Sequence, residues 1–352
     1  MTATEADGQG SPRVTVAIPV YNSAATLERC IRSTMRQTLR DIEVLVADDA
    51  SSDGSAVVAE RLAAEDPRIK ILRLPENGGK PHAMNLLVEA ARGTWVAVLD
   101  ADDAFHDARL ERLLHAADSA PDEVQVDMVA DNIWYVDGDA DAAVRTAFPQ
   151  GAMPRVVVRQ DLAANSDTYA EFDFGILKPV MRRAFLLEHG VAYTERTRLS
   201  EDFYYLMHFF AAGGAGLLVS EPLYYWTMPF GTISRQWTQT GAGAFRYDYR
   251  QALQANEHFI AEMAGKGLAD MVRMLRARSR QYRAMIPYLD AQRHASEGEW
   301  LRSVATIAGH PRTWRLLANR VAGRVRRRLT APGGQALAGG PAAPHPSLRG
   351  AG

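Results

Sequence analysis

One cysteine, Cys30, is all the thiol chemistry that the 352-residue chain carries. Without a second cysteine it forms no internal disulfide, which fits a reducing compartment, and its helix-like neighbours assign it to packing. Charge of one sign is also lacking. Forty Lys+Arg stand against 42 Asp+Glu, a formal net charge of −2, so there is no global electrostatic case for a nucleic-acid partner. No window approaches the ~20 apolar residues that span a bilayer, and the opening "MTATEADGQGSPR" lacks the basic start and apolar core of a secretory signal, so export by that route is not expected. Missing too are zinc-type Cys/His spacing, a GxxxxGK[ST] phosphate loop and a GxGxxG after the first apolar run.

What is there is a globular composition, 47% hydrophobic and 23% charged, enough for one large domain and an appendage. "VTVAIPV" (Val14 to Val20) is a short apolar, β-branched run that reads as a buried strand, and "IEVLVAD" (Ile42 to Asp48), "IKILRL" (Ile69 to Leu74) and "WVAVLD" (Trp95 to Asp100) read as the next three strands. Helices are predicted between them. Leu27, Ile31 and Met35 share one face of the first, with Asn22 or Ser23 as its cap; Ser51 to Asp53 offer caps for the second; Pro81 opens the third and Gly93 closes it. This rhythm predicts an α/β fold, a mostly parallel sheet flanked by helices. After Asp103 the pattern loosens into a helix near Leu110 to Ala117, a strand from Val126 to Ile133, short mixed elements, and a helix opening at Ser200. We expect a disordered leader over 1–12, the α/β domain over 13–230, a helical extension over 231–330 and a disordered Gly/Ala/Pro-rich tail over 331–352.

Ligands of open α/β sheets sit outside the carboxyl ends of the strands, and here each of those four ends is polar. They read "PVYN", "ADDASSDGS", "PENGGKPHAMN" and "LDADD", bringing Pro19, Tyr21, Asp48, Asp49, Lys80, Asp100, Asp102 and Asp103 to one rim. Two carboxylates about 4 Å apart repel by roughly 4 kcal/mol at an effective dielectric near 20, so such a cluster needs solvent, a proton or a cation. A divalent metal carrying a phosphorylated ligand suits an acidic rim that holds one lysine and an aromatic ring, and hard oxygen donors select Mg2+ or Mn2+. Asp103 reads as a cap for the chain beyond it, and His82 and His208, with no second ligand at recognisable spacing, as structural.

The ordered set "VAIPVYN", "VLVADDASSDGS", "NGGKPHAMN", "GTWVAVLDADD" and "LSEDFYY" resembles the family 2 glycosyltransferases of the GT-A fold over roughly Val14 to Trp226. A later stretch, "YYWTMPFGTISRQWT", is similar to bacterial exopolysaccharide glucosyltransferases of the succinoglycan-biosynthesis type. The resemblance implies a nucleotide-sugar donor, with Asp49 on the base, Pro19 and Tyr21 lining the base pocket, Lys80 near the nucleotide, Asp100 on the ribose or the metal, and Asp102 on the metal. Asp202 would be the catalytic base, at the start of a helix capped by Ser200 whose dipole favours the ionised carboxylate. The processive Gln-x-x-Arg-Trp signature is absent, since "SRQW" differs in order and spacing, and this implies one sugar per encounter; in-line displacement from the face opposite the diphosphate would invert the anomeric carbon. Glucose from UDP follows from the narrower similarity.

Aromatic residues Trp134, Tyr135, Tyr224, Tyr225, Trp226 and Trp237 read as packing, or as stacking surfaces for a glycan or lipid-linked oligosaccharide acceptor; Arg235 reads as an ion pair or a diphosphate contact. Residues 310–330 carry Arg312, Arg315, Arg320, Arg324, Arg326, Arg327 and Arg328, with Trp314, Leu317, Val321, Val325 and Leu329 on one helical face. Such a helix suits either an anionic membrane surface, giving a cytoplasmic protein peripheral to the inner face of the membrane, or a solvated capping helix. Two rival functions stay open: a catalytically silent, membrane-associated binding protein of the same fold, and a nucleotidyltransferase. The second normally has a basic Gly-rich loop where this chain has "PVYNSAA".

Overall fold

A computed structural model divides the chain into two compact units, Met1–Thr232 and Ile233–Gly352. It describes residues 10–138, 142–148, 155–164, 174–197, 200–228, 249–311 and 313–314. Arg235, Trp237 and most of the basic segment, from 315 onward and at 312, lie outside the described residues.

The first unit holds strands β1 (Val14–Val20), β2 (Ile42–Asp48), β3 (Ile69–Arg73), β4 (Trp95–Val98), β5 (Ala104–Phe105), β6 (Met128–Asp137), β7 (Ala142–Thr146), β8 (Arg155–Val157), β9 (Val180–Arg182) and β10 (Gly216–Met228). Its helices are α1 (Ala24–Met35), α2 (Ser55–Glu65), α3 (Lys80–Ala90), α4 (Arg109–Asp118), α5 (Arg159–Ala164), α6 (Arg183–Glu188) and α7 (Glu201–Ala211). The main path of the sheet runs β3-β2-β1-β4-β9-β6-β10-β5, with β7 on β6 and β8 on β10. Pairing is parallel among β3, β2, β1 and β4 and between β6 and β10, while β9 runs antiparallel between β4 and β6. Along that path the sheet is therefore mixed but mostly parallel, and the carboxyl ends of the first four strands share one rim.

Burial explains the unbroken apolar runs. Every residue of β1 and β2 is buried, as expected of parallel strands covered on both faces. Leu27 and Ile31 of α1 are fully buried against Val16 and Ile18, and Met35 packs partly against the same cluster; fully burying one such side chain contributes roughly 1.5–3 kcal/mol. Parts of the local reading need correcting. The α1 cap is not local: Ser23 sits at the N-cap position but its hydroxyl turns back to the Tyr21 carbonyl at 3.1 Å, and the Ala24 N–H is taken by Asp53 Oδ2 at 2.9 Å. Asn22 instead accepts the Ser52 N–H at 2.8 Å. Helix α3 ends at a cap on Ala91, and Gly93 serves a close approach, since a Cβ there would lie 2.4 Å from the Thr15 backbone nitrogen. The strand expected from Val126 to Ile133 is β6, displaced toward the carboxyl terminus.

At the other end of the sheet, Glu43 of β2 is buried and accepts from the Thr15 hydroxyl at 2.6 Å, the Arg92 N–H at 2.7 Å and the Arg92 guanidinium at 3.0 Å. Burial alone would raise this carboxyl, but the three donors outweigh it and hold it below the ordinary range. A depressed folded-state pKa gives stability that is present above the unfolded value and is lost as pH falls through the folded one. Glu43→Gln is expected to cost about 1–3 kcal/mol at neutral pH, and the gap to wild type should narrow below about pH 4. Urea unfolding of both proteins at the two pH values checks this; a gap independent of pH would assign the loss to packing.

The second unit is helical: α8 (Tyr249–Gly265), α9 (Ala269–Ser296) and α10 (Trp300–Ala308). Asn256 bonds the Leu275 carbonyl and the Ser279 hydroxyl, both at 2.7 Å, and Tyr249 packs on Tyr282. Among the described residues no helix is long and apolar enough to cross a membrane.

Candidate active site

The rim collects the strand ends in three layers. Pro19 is buried in β1 opposite Ala47, and Tyr21, just beyond the strand, exposes 42% of its surface. Asp49 follows β2 and is nearly fully buried. Its two carboxylate oxygens accept the backbone N–H groups of Gly78 and Gly79, each at 2.8 Å, and its carbonyl accepts from Asn77 at 3.2 Å. Asp49 therefore shapes the loop that delivers Lys80. Gly79 has φ +86°, a conformation that side chains rarely adopt, so the second glycine of the loop is a geometric requirement. Non-glycine residues with positive φ cluster at this rim: Asn22, Ala50 and Ser200. Strain of this kind concentrates where function holds the backbone in place.

The second layer is ionic. Lys80 Nζ lies 2.9 Å from Asp100 Oδ1, 3.1 Å from Asp202 Oδ2 and 3.5 Å from Glu201 Oε1. A second ammonium, Lys178 Nζ, lies 2.7 Å from Asp100 Oδ2 and 2.5 Å from Asp202 Oδ2. Tyr193 donates its hydroxyl to Asp202 Oδ1 at 3.2 Å. Asp100 and Asp202, 102 positions apart by number, thus share both cations. Burial would raise the Asp202 carboxyl, but Lys178 and Lys80 outweigh it and hold it below the usual carboxylate range; the same balance lowers Asp100. Glu201 goes the other way, pushed up by burial and only partly relieved by Lys80. Asp202 occupies the first turn of α7, as expected. Ser200 precedes it in left-handed backbone, but its hydroxyl makes no cap bond, so the cap expected there is a backbone turn.

The third layer separates the acidic triplet into three environments. Asp103 is not an exposed cap. It is fully buried and accepts the Tyr224 hydroxyl at 2.7 Å and the Thr227 N–H at 2.9 Å, fastening the end of β4 to β10, with its carboxyl pushed well up by burial and by Asp102 and Asp100. Asp100 is held by the lysines. Asp102 remains: burial and then the charge of Asp100 raise its carboxyl, the sign of a negative charge short of compensation. Asp100 Oδ1 is buried with the Lys80 ammonium beside it at 2.9 Å. Two hard carboxylates two residues apart, Asp102 undercompensated and Asp100 beside it, are donors of the type that Mg2+ or Mn2+ takes. Among the described residues the one group of three His, Cys, Asp or Glu side chains whose ligand atoms lie close together is His294, Glu297 and Glu299, remote in sequence from this rim.

All the residues expected at the site fall on this rim, with Lys80, Asp100 and Asp202 in direct ionic contact. Lys178 and Tyr193 join them without being expected from the sequence. A lysine inside the apolar run Ile176-Leu177-Lys178-Pro179-Val180 was the available signal, because a buried ammonium needs carboxylate partners. Of the aromatics, Tyr135, Tyr224 and Tyr225 are buried, consistent with packing. His82 pairs with Glu195 and His208 faces the Ala192 carbonyl.

Comparison with known proteins is consistent with this geometry. Residues 15–177 match the family described as Glycosyl transferase family 2. The chain is 31% identical over 318 residues to Succinoglycan biosynthesis protein ExoO of Rhizobium meliloti (strain 1021), covering 90% of this chain and 87% of that protein. It is 34% identical over 196 residues to Succinoglycan biosynthesis protein ExoU of the same strain, 54% of each chain. A crystal structure of S. aureus TarS 1–349 in complex with UDP-GlcNAc superposes with a TM-score of 0.61 at 18% identity, over 83% of this chain and 81% of that one. At that identity the likeness is one of fold.

Proposed function

Because the chain belongs to glycosyl transferase family 2, we propose that its rim moves a sugar from a UDP-sugar, glucose in our reading, onto a glycan or lipid-linked oligosaccharide in cell-surface or exopolysaccharide biosynthesis. One sugar is added per encounter, with inversion. The carrying observation is the convergence of Lys80, Lys178, Asp100 and Asp202, from four separate stretches of chain, within 3.1 Å of shared charges. The names of ExoO and ExoU support the pathway class, and the UDP-GlcNAc bound to TarS supports the donor class.

An acceptor hydroxyl is a poor nucleophile and a nucleoside diphosphate a reluctant leaving group. Asp202, ionised and aimed from the first turn of α7, takes the hydroxyl proton, a contribution of roughly 10²–10⁴-fold for a positioned base. The acceptor oxygen then forms its bond to the anomeric carbon from the face opposite the diphosphate. Lys80, the more exposed of the two lysines, turns to the diphosphate as negative charge develops there. Asp102 with Asp100 would hold a divalent ion, which when bound supplies Lewis-acid stabilisation of the leaving group. Tyr21 offers an open ring for the base, and Asp49, its loop-holding bonds made, offers the base its remaining lone pairs. The basic segment 310–330 suits a peripheral position on the anionic inner face of the cell membrane, supported by the exposed Trp314 at its start.

The test is a donor panel scored for UDP release with Mg2+ or Mn2+ and a glycan acceptor. Release from a UDP-sugar is expected, lost on adding a chelator and restored by excess metal. Binding of UDP and metal without any turnover would favour the silent binding protein instead.

A further inference from the structure

Lys80 has a task in the reading above; the second buried ammonium has none. Resting on that reading, we propose that Lys178 is the positioning residue for the proton-accepting carboxylate: a fixed cation that holds Asp202 while Lys80 serves the donor.

The two lysines carry the same charge in the same cluster but are anchored differently. The Lys178 side chain is 7% exposed and that of Lys80 is 21%. Lys80 comes from a glycine loop at the start of α3. Lys178 is fixed by its own backbone, whose carbonyl accepts from Arg109 Nη2 at 2.5 Å, and Arg109 is fully buried and paired with Asp131 at 2.7 Å. Two residues on, Val180 enters β9 opposite Ala97 of β4, in an antiparallel register that carries Lys178 toward Asp100. A cation fixed from behind in this way keeps its place when the donor arrives.

Its grip on Asp202 is also specific. Lys178, closer to Oδ2 than Lys80, holds that oxygen while Tyr193 donates to Oδ1, so donors on both oxygens fix the plane of the carboxylate. In the transfer step the hydroxyl proton passes to Asp202, the acceptor oxygen bonds to the anomeric carbon, and the electron pair of the broken C–O bond leaves with the diphosphate. Lys178 remains an ammonium throughout. Orientation of the base is worth rate and not donor affinity, because it acts on the acceptor's proton.

The experiment compares Lys178→Met, Lys178→Arg and Lys80→Met by steady-state kinetics, with UDP–Mn2+ affinity by calorimetry as a check on the fold. Lys178→Met is expected to lower kcat about 100-fold, the lower range of a base contribution, with donor KM and UDP affinity within about threefold, a change of roughly 0.65 kcal/mol or less. Lys80→Met should do the reverse and raise donor KM. Lys178→Arg keeps the charge in a different fork geometry and should restore kcat to within about tenfold of wild type with donor KM unchanged. If Lys178→Met does not fold, the arginine variant alone decides: an intermediate kcat at unchanged KM supports the role, and a loss confined to KM overturns it. A kcat within about threefold of wild type in Lys178→Met, or a loss of UDP affinity matching the loss of rate, also overturns it. Wild-type protein that releases no UDP from any donor would instead overturn the transferase reading itself.

Discussion

Replacing Asp202 with asparagine lowers the transfer rate by about 10²–10⁴-fold, the contribution of a positioned general base, while UDP affinity stays near wild type. The amide keeps the size of the carboxylate and can still meet the Tyr193 hydroxyl, but it cannot accept a proton from an alcohol. Asp202 takes part in donor binding only through the shared lysines. Losing its charge releases Lys80 and Lys178 to Asp100 and Glu201, both already within the same cluster. Stopped-flow or coupled UDP-release assays at saturating donor, with calorimetric UDP titration, separate the two quantities. Near-wild-type turnover in the variant would remove Asp202 from the base role. A parallel fall in UDP affinity would recast it as scaffolding.

Much of this site was legible because its residues terminate periodic elements. Asp49 and the Asp100–Asp102 pair follow buried apolar strands and Lys80 follows the edge strand β3, and in a parallel sheet such positions share a rim whatever their separation in sequence. Asp202 was legible from a different pattern, paired acids opening an apolar helix, together with the family resemblance. Illegible were the contacts made where the period breaks down. Between Asp103 and Ser200 the sheet takes in β9 as an antiparallel insertion between β4 and β6, and β5 as a two-residue strand on β10. No alternation announces elements of two or three residues, so the cation carried into the site just ahead of β9 went unseen. Asp103 was misplaced for a related reason. As the third acid after a strand it resembles a cap, and only the 13-residue β10, returning to lay Tyr224 and Thr227 beside it, makes it a buried clasp. Helix caps failed likewise where the donor–acceptor pair spans two loops, as with Asp53 and Ala24.

The pair that anchors Lys178 should be the most sensitive point of the α/β unit. Arg109 and Asp131 are both essentially inaccessible and joined by bonds of 2.7 and 3.1 Å, with the guanidinium carbon 4.2 Å from the Phe105 ring centroid and 5.2 Å from that of Tyr224. Arg109→Met is expected to cost about 3–5 kcal/mol, because Asp131 is left as an uncompensated buried charge. Burial pushes the Asp131 carboxyl up even with Arg109 in place, so Arg109 does not fully offset its partner's desolvation. It follows that Arg109→Met combined with Asp131→Asn should recover most of that loss: the asparagine oxygen can still take the Leu223 N–H, and methionine packs well on aromatic rings. Chemical denaturation of the single and double variants measures the coupling, and additive losses would refute the account. Catalysis should not recover with stability. In the double variant the Lys178 carbonyl still lacks its Arg109 donor, and a kcat that stays low in a restored fold would tie the buried pair to the placement of the base.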